Sequence, residues 1–355
     1  MITMFVAAAL GFFVALFATS PAIRILRARN IGQFIQEEVE GHSHKHGTPT
    51  MGGLVIIAAV VVGYVGSHWS LAPGSAGGGL EFGGFTVGGG LVMLAFLGMG
   101  IIGFLDDFQK VSKERNLGLS SSGKFAGQLA IAAIFVFVLT RTDFSLEISF
   151  TRSLDWSIPV WAFVLWALFM LTATANAVNI TDGLDGLASG SSALVFGAYM
   201  VMSFWIFRNP EFYGRFIAQD LSALDLARFA AALSGATLGF LWWNAAPARI
   251  FMGDVGSQSL GGAMAALALL TNTHLLLPIL GGLFVMETLS VILQVASFKS
   301  TGKRIFRMAP IHHHFEMLGW PETTIIIRFW IIGALCVAAG LGIFYGDFVT
   351  SGGIP

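Results

Sequence analysis

Apolar runs of about 20 residues succeed one another along the chain, and the polar residues gather in the short breaks between them. Spans are predicted at about 4–20, 51–68, 89–105, 125–140, 158–178, 189–207, 229–243, 257–272, 275–298 and 323–345. Such a run crosses hydrocarbon as a helix, because lipid offers the backbone no other hydrogen-bond partner. The expected fold is an all-α polytopic membrane protein with about ten transmembrane helices. No internal repeat and no Pro/Ser linker divides the chain, so residues 1–355 read as one integral membrane domain. Met1 to Thr19 has no positive charge before it and no clear small-residue cleavage site after it, and reads as a first anchor rather than a cleaved leader.

Composition agrees with this pattern. The chain is 55% hydrophobic and 11% charged, against about one quarter charged in a soluble domain. A net charge of -1 offers no basic surface to a nucleic acid. The lone Cys336 excludes a disulfide framework within the chain.

The charges also orient the spans. Of the 19 Lys and Arg, only Arg141, Arg152, Arg208, Arg215 and Arg228 fall on one side; the rest fall on the other, in or beside breaks at about 21–50, 106–124, 179–188, 244–256 and 299–322. The cation-rich side is expected to be cytoplasmic, with both termini periplasmic. On the outer side, Leu71 to Gly90 reads as a glycine-rich loop, Asp143 to Phe150 as a short hairpin strand, and Pro210 to Arg228 as an amphipathic helix lying on the surface. The dense polar motifs are all on the inner side, so a cytoplasmic cleft is where chemistry is expected.

Asp106 and Asp107, in GFLDDFQKV, put adjacent carboxylates at a membrane boundary, where they repel unless a cation or proton compensates. Lys110 follows within one helical turn; a solvated helix end with a local ion pair is the plain alternative. In NAVNITDGLDGLASG, Asn179, Asp182 and Asp185 recur every three residues, so a helical segment would turn all three to one side. No Lys or Arg lies in that break, and the acids must find metal, substrate or distant cations; the alternative is a solvated loop. In NAAPARIFMGDVGSQSLGG, Asp254 sits between Gly253 and Gly256 with Ser257 close behind. It suits a helix cap beside a phosphate site, or a Mg²⁺ ligand.

KRIFRMAPIHHHFEMLGW places His312, His313 and His314 in a cationic inner loop. Consecutive histidines cannot all face one way, so a zinc site from this run alone is not expected; phosphate or uridine contact, proton handling and loop packing remain open. In HSHKHGTPTMGG the alternating His42, His44 and His46 form a weak zinc pattern, whereas Lys45 and Thr50 suit a phosphate. Glu287 lies inside the ninth span, where an acid is either functional or engaged in bonding between helices.

Taken together, GTPTMGG, FLDDFQK, NAVNITDGLDGLA, ARIFMGDVGS and APIHHHFE resemble, in order and spacing, the motifs of the phospho-N-acetylmuramoyl-pentapeptide transferase family of bacterial cell-wall synthesis, within the polyprenyl-phosphate N-acetylhexosamine-1-phosphate transferases. The resemblance covers nearly the whole chain, and the histidine run favours this family over relatives that use UDP-N-acetylglucosamine. It implies ten transmembrane helices in the bacterial inner membrane, Mg²⁺ dependence, dimers, and the reaction of UDP-MurNAc-pentapeptide with undecaprenyl phosphate to give lipid I and UMP. Carried over residue by residue, it makes Asp254 the leading Mg²⁺ ligand, places Asp107 nearest the lipid phosphate, and gives Asp106 a supporting role. Asn179, Asp182 and Asp185 would line the cleft. Lys45, Thr50, Lys110, Lys124, Asn244, Ser257 and Gln294 would contact nucleotide, phosphate or metal, and His312, His313 and His314 would sit over the donor sugar or pyrophosphate. A secondary transporter is the rival of another class, but its polar site belongs near the midplane of broken helices.

Overall fold

The computed structural model describes residues 1–29, 31–32, 47–71, 80–113, 118–144, 146–214 and 221–352. Lys45 and the histidines at 42, 44 and 46 lie outside the described residues. The long helices are α1 (Ile2–Ala28), α2 (Gly53–Gly66), α3 (Val87–Ser112), α4 (Ser121–Leu139), α5 (Val160–Thr181), α6 (Leu187–Arg208), α8 (Ala223–Asn244), α9 (Gly253–Leu270), α11 (Gly282–Thr301) and α13 (Glu322–Thr350). Short helices α7 (Pro210–Tyr213), α10 (Leu277–Leu280) and α12 (Ile311–Glu316) lie between them. The ten long helices match the ten expected spans one for one.

Eight of them are long and apolar enough to cross a membrane by length and composition. The other two are α2, of 14 residues, and α9, of 18. Sixteen of the residues of α9 are buried, from Val255 to Leu270. It packs against α3 and α5. A helix enclosed by protein needs small residues for close packing rather than an apolar exterior, which accounts for its run of Gly, Ser and Ala. The outer helices show the opposite pattern: Trp161, Leu165 and Phe169, four residues apart on α5, are 68%, 58% and 58% exposed. Large apolar side chains turned outward along successive turns are those of a multi-pass membrane protein.

Two small hairpins stand at the helix ends. Strands β1 (Trp69–Leu71) and β2 (Leu80–Phe82) pair antiparallel, with Trp69 opposite Phe82. Strands β3 (Glu147–Ser149) and β4 (Ser153–Ser157) pair with an irregularity after Ile148, in keeping with the strand expected there.

The surface helix expected over Pro210 to Arg228 is not what the described residues of that stretch form. Only α7 covers its start, residues 215–220 lie outside the description, and Ala223 already belongs to the long helix α8. The reason is Asp225, which is buried. Its carboxylate accepts the Tyr64 hydroxyl at 2.8 Å and the Thr86 hydroxyl at 2.6 Å, and lies 2.8 Å from Nε2 of His68. Its partners come from the end of α2 and the start of α3, so the polar position faces inward.

Candidate functional site

The site forms where the C-terminal turns of α3 meet the N-terminal turns of α4 and α9 and the end of α5. α3 continues past the expected inner boundary of its span to Ser112, which puts Asp106, Asp107 and Lys110 on helix rather than in a loop. α4 opens on Ser120, whose hydroxyl accepts the N–H of Gly123 at 3.2 Å, and this start sets Lys124 in the first turn. A cation there opposes the helix dipole, and its partner is found on another helix.

Asp106, Asp107 and Asp254 each offer a carboxylate oxygen within 4.8 Å of the others, and among the described residues they are the one such acidic group of metal-binding type. Asp106 and Asp107 are buried, at 3% and 4% exposure. Lys110 Nζ reaches all three, at 2.6 Å from Asp106, 3.7 Å from Asp107 and 3.2 Å from Asp254. Lys124 Nζ lies 2.5 Å from Asp254. Three carboxylates against two ammonium groups leave a negative excess in a partly dry site, and an all-oxygen donor set suits a hard divalent cation. The residues present therefore fit a bound metal ion.

Asp254 does not cap its own helix, contrary to that reading of the sequence. The side chain that caps α9 is Asp107, whose carboxylate accepts the Val255 N–H at 3.1 Å. Asp254 is thereby left to face Lys110, Lys124 and Asn179, which donates to it at 2.9 Å and to Ser257 at 2.9 Å. Asp106 accepts the Leu119 N–H at 2.9 Å, which ties the loop before α4 to α3. The approach of α3 to α9 depends on Gly103: a β-carbon there would collide with the carbonyl oxygen of Asp254. Thr50 is buried next to Gly253, on a segment joined to residue 251 by the bond from Phe251 N–H to the Pro49 carbonyl, 2.8 Å.

Asn179, Asp182 and Asp185 do not share one face. α5 ends at Thr181 and α6 begins only at Leu187, so Asp182 and Asp185 both lie in the non-helical turn between them and lose the three-residue helical alignment with Asn179. Asp182 stays by the cleft. Burial pushes its carboxyl well above the ordinary carboxylate range, and the charges of Asp254, Asp107 and Asp185 push it further. Asp185 turns away, accepting the Ala248 N–H at 2.8 Å, while its own N–H donates to Glu322 at 3.1 Å.

Asn244 is buried and bonds Ser189 (2.7 Å) and the Ile250 carbonyl (2.9 Å), fastening the loop that leads to Asp254. Gln294 does the same for the loop before the histidines, bonding the backbone of Ile305 and Phe306. On α12 the three histidines point three ways, as their spacing requires. His312 is fully buried, with Nδ1 3.0 Å from Glu287 and Nε2 against Gly183. His313 pairs with Glu316, and His314 Nδ1 accepts the Arg307 N–H at 3.1 Å.

Two groups were not legible from motifs. The Leu119 N–H carries no side-chain signal at all. Gln128, Asn176 and Gln258 form a bonded trio beneath the charged groups, and their helical offset from Lys124, Asn179 and Asp254 was a signal that could have found them.

Comparison with known proteins gives a consistent picture. The model for glycosyl transferase family 4 matches residues 90–272, and the phospho-N-acetylmuramoyl-pentapeptide-transferase signature 1 matches residues 45–57. A curated phospho-N-acetylmuramoyl-pentapeptide-transferase of Frankia casuarinae is 50% identical, with 98% of each chain covered. Those of Streptomyces griseus and Corynebacterium efficiens are each 46% identical, with 97% of this chain and 98% of theirs covered.

Proposed function

The chain belongs to the phospho-N-acetylmuramoyl-pentapeptide-transferase family, and on that premise we propose that it transfers phospho-MurNAc-pentapeptide from UDP-MurNAc-pentapeptide to undecaprenyl phosphate, giving lipid I and UMP in peptidoglycan synthesis. The observation that supports this most directly is the convergence of Asp106, Asp107 and Asp254 with Lys110 and Lys124 at one end of the helix bundle. In this reading ten helices cross the bacterial inner membrane, both termini are periplasmic, the cleft opens to the cytoplasm, and the chain works as a homodimer.

The reaction exchanges one phosphoric anhydride for another, so the protein must gather mutually repelling anions and stabilise charge on the departing UMP. Mg²⁺, held by Asp254 with Asp106 and Asp107, would neutralise pyrophosphate charge and polarise the phosphoryl oxygens. Lys110 and Lys124 supply the remaining positive charge. Lys45 and Thr50 bind phosphate, Asn179 and Ser257 fix the orientation of Asp254, and Asp182 lines the cleft. Asp185, Asn244 and Gln294 act through the loops they fasten, and His312, His313 and His314 stand by the donor. Asp107 orients the lipid phosphate, one oxygen of which forms a bond to the sugar-bearing phosphorus. The bond from that phosphorus to the bridging oxygen breaks, and UMP leaves with the electron pair. A phosphate monoester largely dianionic at neutral pH needs no strong base, which favours this direct displacement over a phospho-enzyme.

Purified protein in detergent is expected to release UMP only when undecaprenyl phosphate and Mg²⁺ are both present, and from the MurNAc-pentapeptide donor rather than UDP-N-acetylglucosamine. Asp254→Ala should lower turnover by about 100-fold or more. Near-normal turnover in that variant would overturn the metal assignment.

A further inference from the structure

Directly beneath the charged groups lies an uncharged polar layer delivered by three of the site's helices, α4, α5 and α9. Gln128 follows Lys124 by four residues on α4, Asn176 precedes Asn179 by three on α5, and Gln258 follows Asp254 by four on α9. Each is thus one helical turn deeper than a member of the site. Asn176 Nδ2 donates to Gln128 Oε1 at 2.9 Å, and Gln128 Nε2 returns a bond to Asn176 Oδ1 at 3.3 Å, closing a cyclic amide pair. Gln128 Nε2 also donates to Gln258 Oε1 at 2.6 Å, and Asn176 Nδ2 donates to the Thr172 carbonyl at 2.8 Å.

Gln128 and Gln258 are 1% and 0% exposed and lie one helical turn below the groups assigned to substrate or metal. Gln258 Nε2 is buried with no protein partner among the described residues. A buried donor without a protein partner adds no packing stability of its own, so an apolar side chain would serve folding as well here. What the layer fixes is direction. A helix turns by about 100° per residue, and slippage of α4 or α5 against α9 would swing Lys124 or Asn179 off the Asp254 carboxylate. We propose that Gln128, Asn176 and Gln258 are positioning residues that hold α4 and α5 in register on α9 for the transfer reaction, a proposal that rests on the function put forward above.

The test uses the full-length protein in detergent with Gln258→Met and Gln128→Met, which keep side-chain volume and remove the amide. Gln258→Met, which removes the unbonded donor, is expected to fold with a thermal midpoint at or above the parent's, whereas Gln128→Met leaves Asn176 and Gln258 short of a partner and should lower it modestly, by less than its loss of turnover requires. Their kcat should fall by about 10- to 100-fold while KM for the nucleotide donor stays within about twofold. The double variant should lose no more than the worse single one, because the two act as one unit. Parent-like kcat in either variant would overturn the proposal. So would additive losses in the double variant, or losses that simply follow a lowered midpoint. Failure of the unaltered protein to release UMP would instead sink the function reading, and would be seen before any substitution is made.

Discussion

At the scale of single residues, Asp107 has two tasks that can be separated. Its carboxylate caps α9 through the Val255 N–H and faces the lysine-bridged acidic cluster. Asp107→Asn keeps an oxygen for the cap but loses the charge, so the thermal midpoint should stay near the parent's while turnover falls about 100-fold. Asp107→Ala loses the cap as well and should cost about 1 kcal/mol of stability in addition. Equal turnover in Asp107→Asn and the parent would remove this residue from the chemistry. Asp182 gives a pH signature. Its carboxyl titrates well above the ordinary range in the folded protein, so the folded state binds a proton that the unfolded state has already released. Stability is therefore lost as pH rises from the ordinary carboxylate value, about 3.9, through the raised one. Asp182→Asn lacks this loss. With metal removed by EDTA, its thermal midpoint relative to the parent's should climb as pH rises above the ordinary carboxylate value, and a pH-independent difference would contradict the assignment.

Among the elements, the contact of α3 with α9 assembles the acidic cluster, because two of the three carboxylates ride on one helix and the third on the other. Gly103 is the point of closest approach. Gly103→Val should force the helices apart at a cost of about 1–3 kcal/mol, with a loss of UMP release larger than the drop in thermal midpoint explains; an active, parent-like variant would show that the cluster tolerates separation. This contact also marks where the sequence could and could not be read. The ten helices were legible as runs of apolar residues between polar breaks, and an acidic cluster was expected because adjacent carboxylates at a membrane boundary need a cation; Lys110 was legible by its helical spacing, Lys124 only through the family resemblance. The cap on α9 was not legible, since Asp107 and Val255 are 148 residues apart. Asp225 likewise made residues 210–228 look like a surface helix, because Tyr64, His68 and Thr86 reach it only after folding. The end of α5 at Thr181 put Asp182 and Asp185 in a turn rather than on a helix, which a three-residue spacing does not reveal.

For the whole molecule, the orientation proposed from the cations can be checked without a substrate. Cys336 is the sole cysteine, so a Cys336→Ser background accepts single reporters. Ser351→Cys, after α13, should react with a membrane-impermeant maleimide in spheroplasts, whereas Lys113→Cys, after α3, should react only once the membrane is opened. The reverse pattern would put the acidic cluster on the outer side and defeat the proposed access of a cytoplasmic nucleotide. The enclosure of α9 bears on how such a chain is built. A segment so rich in glycine, serine and alanine has little tendency to leave a protein-conducting channel for bilayer by itself. During synthesis it must wait beside the channel until the earlier helices offer it a proteinaceous berth, which makes the strand of chain bearing Asp254 among the last pieces of the catalytic end to settle.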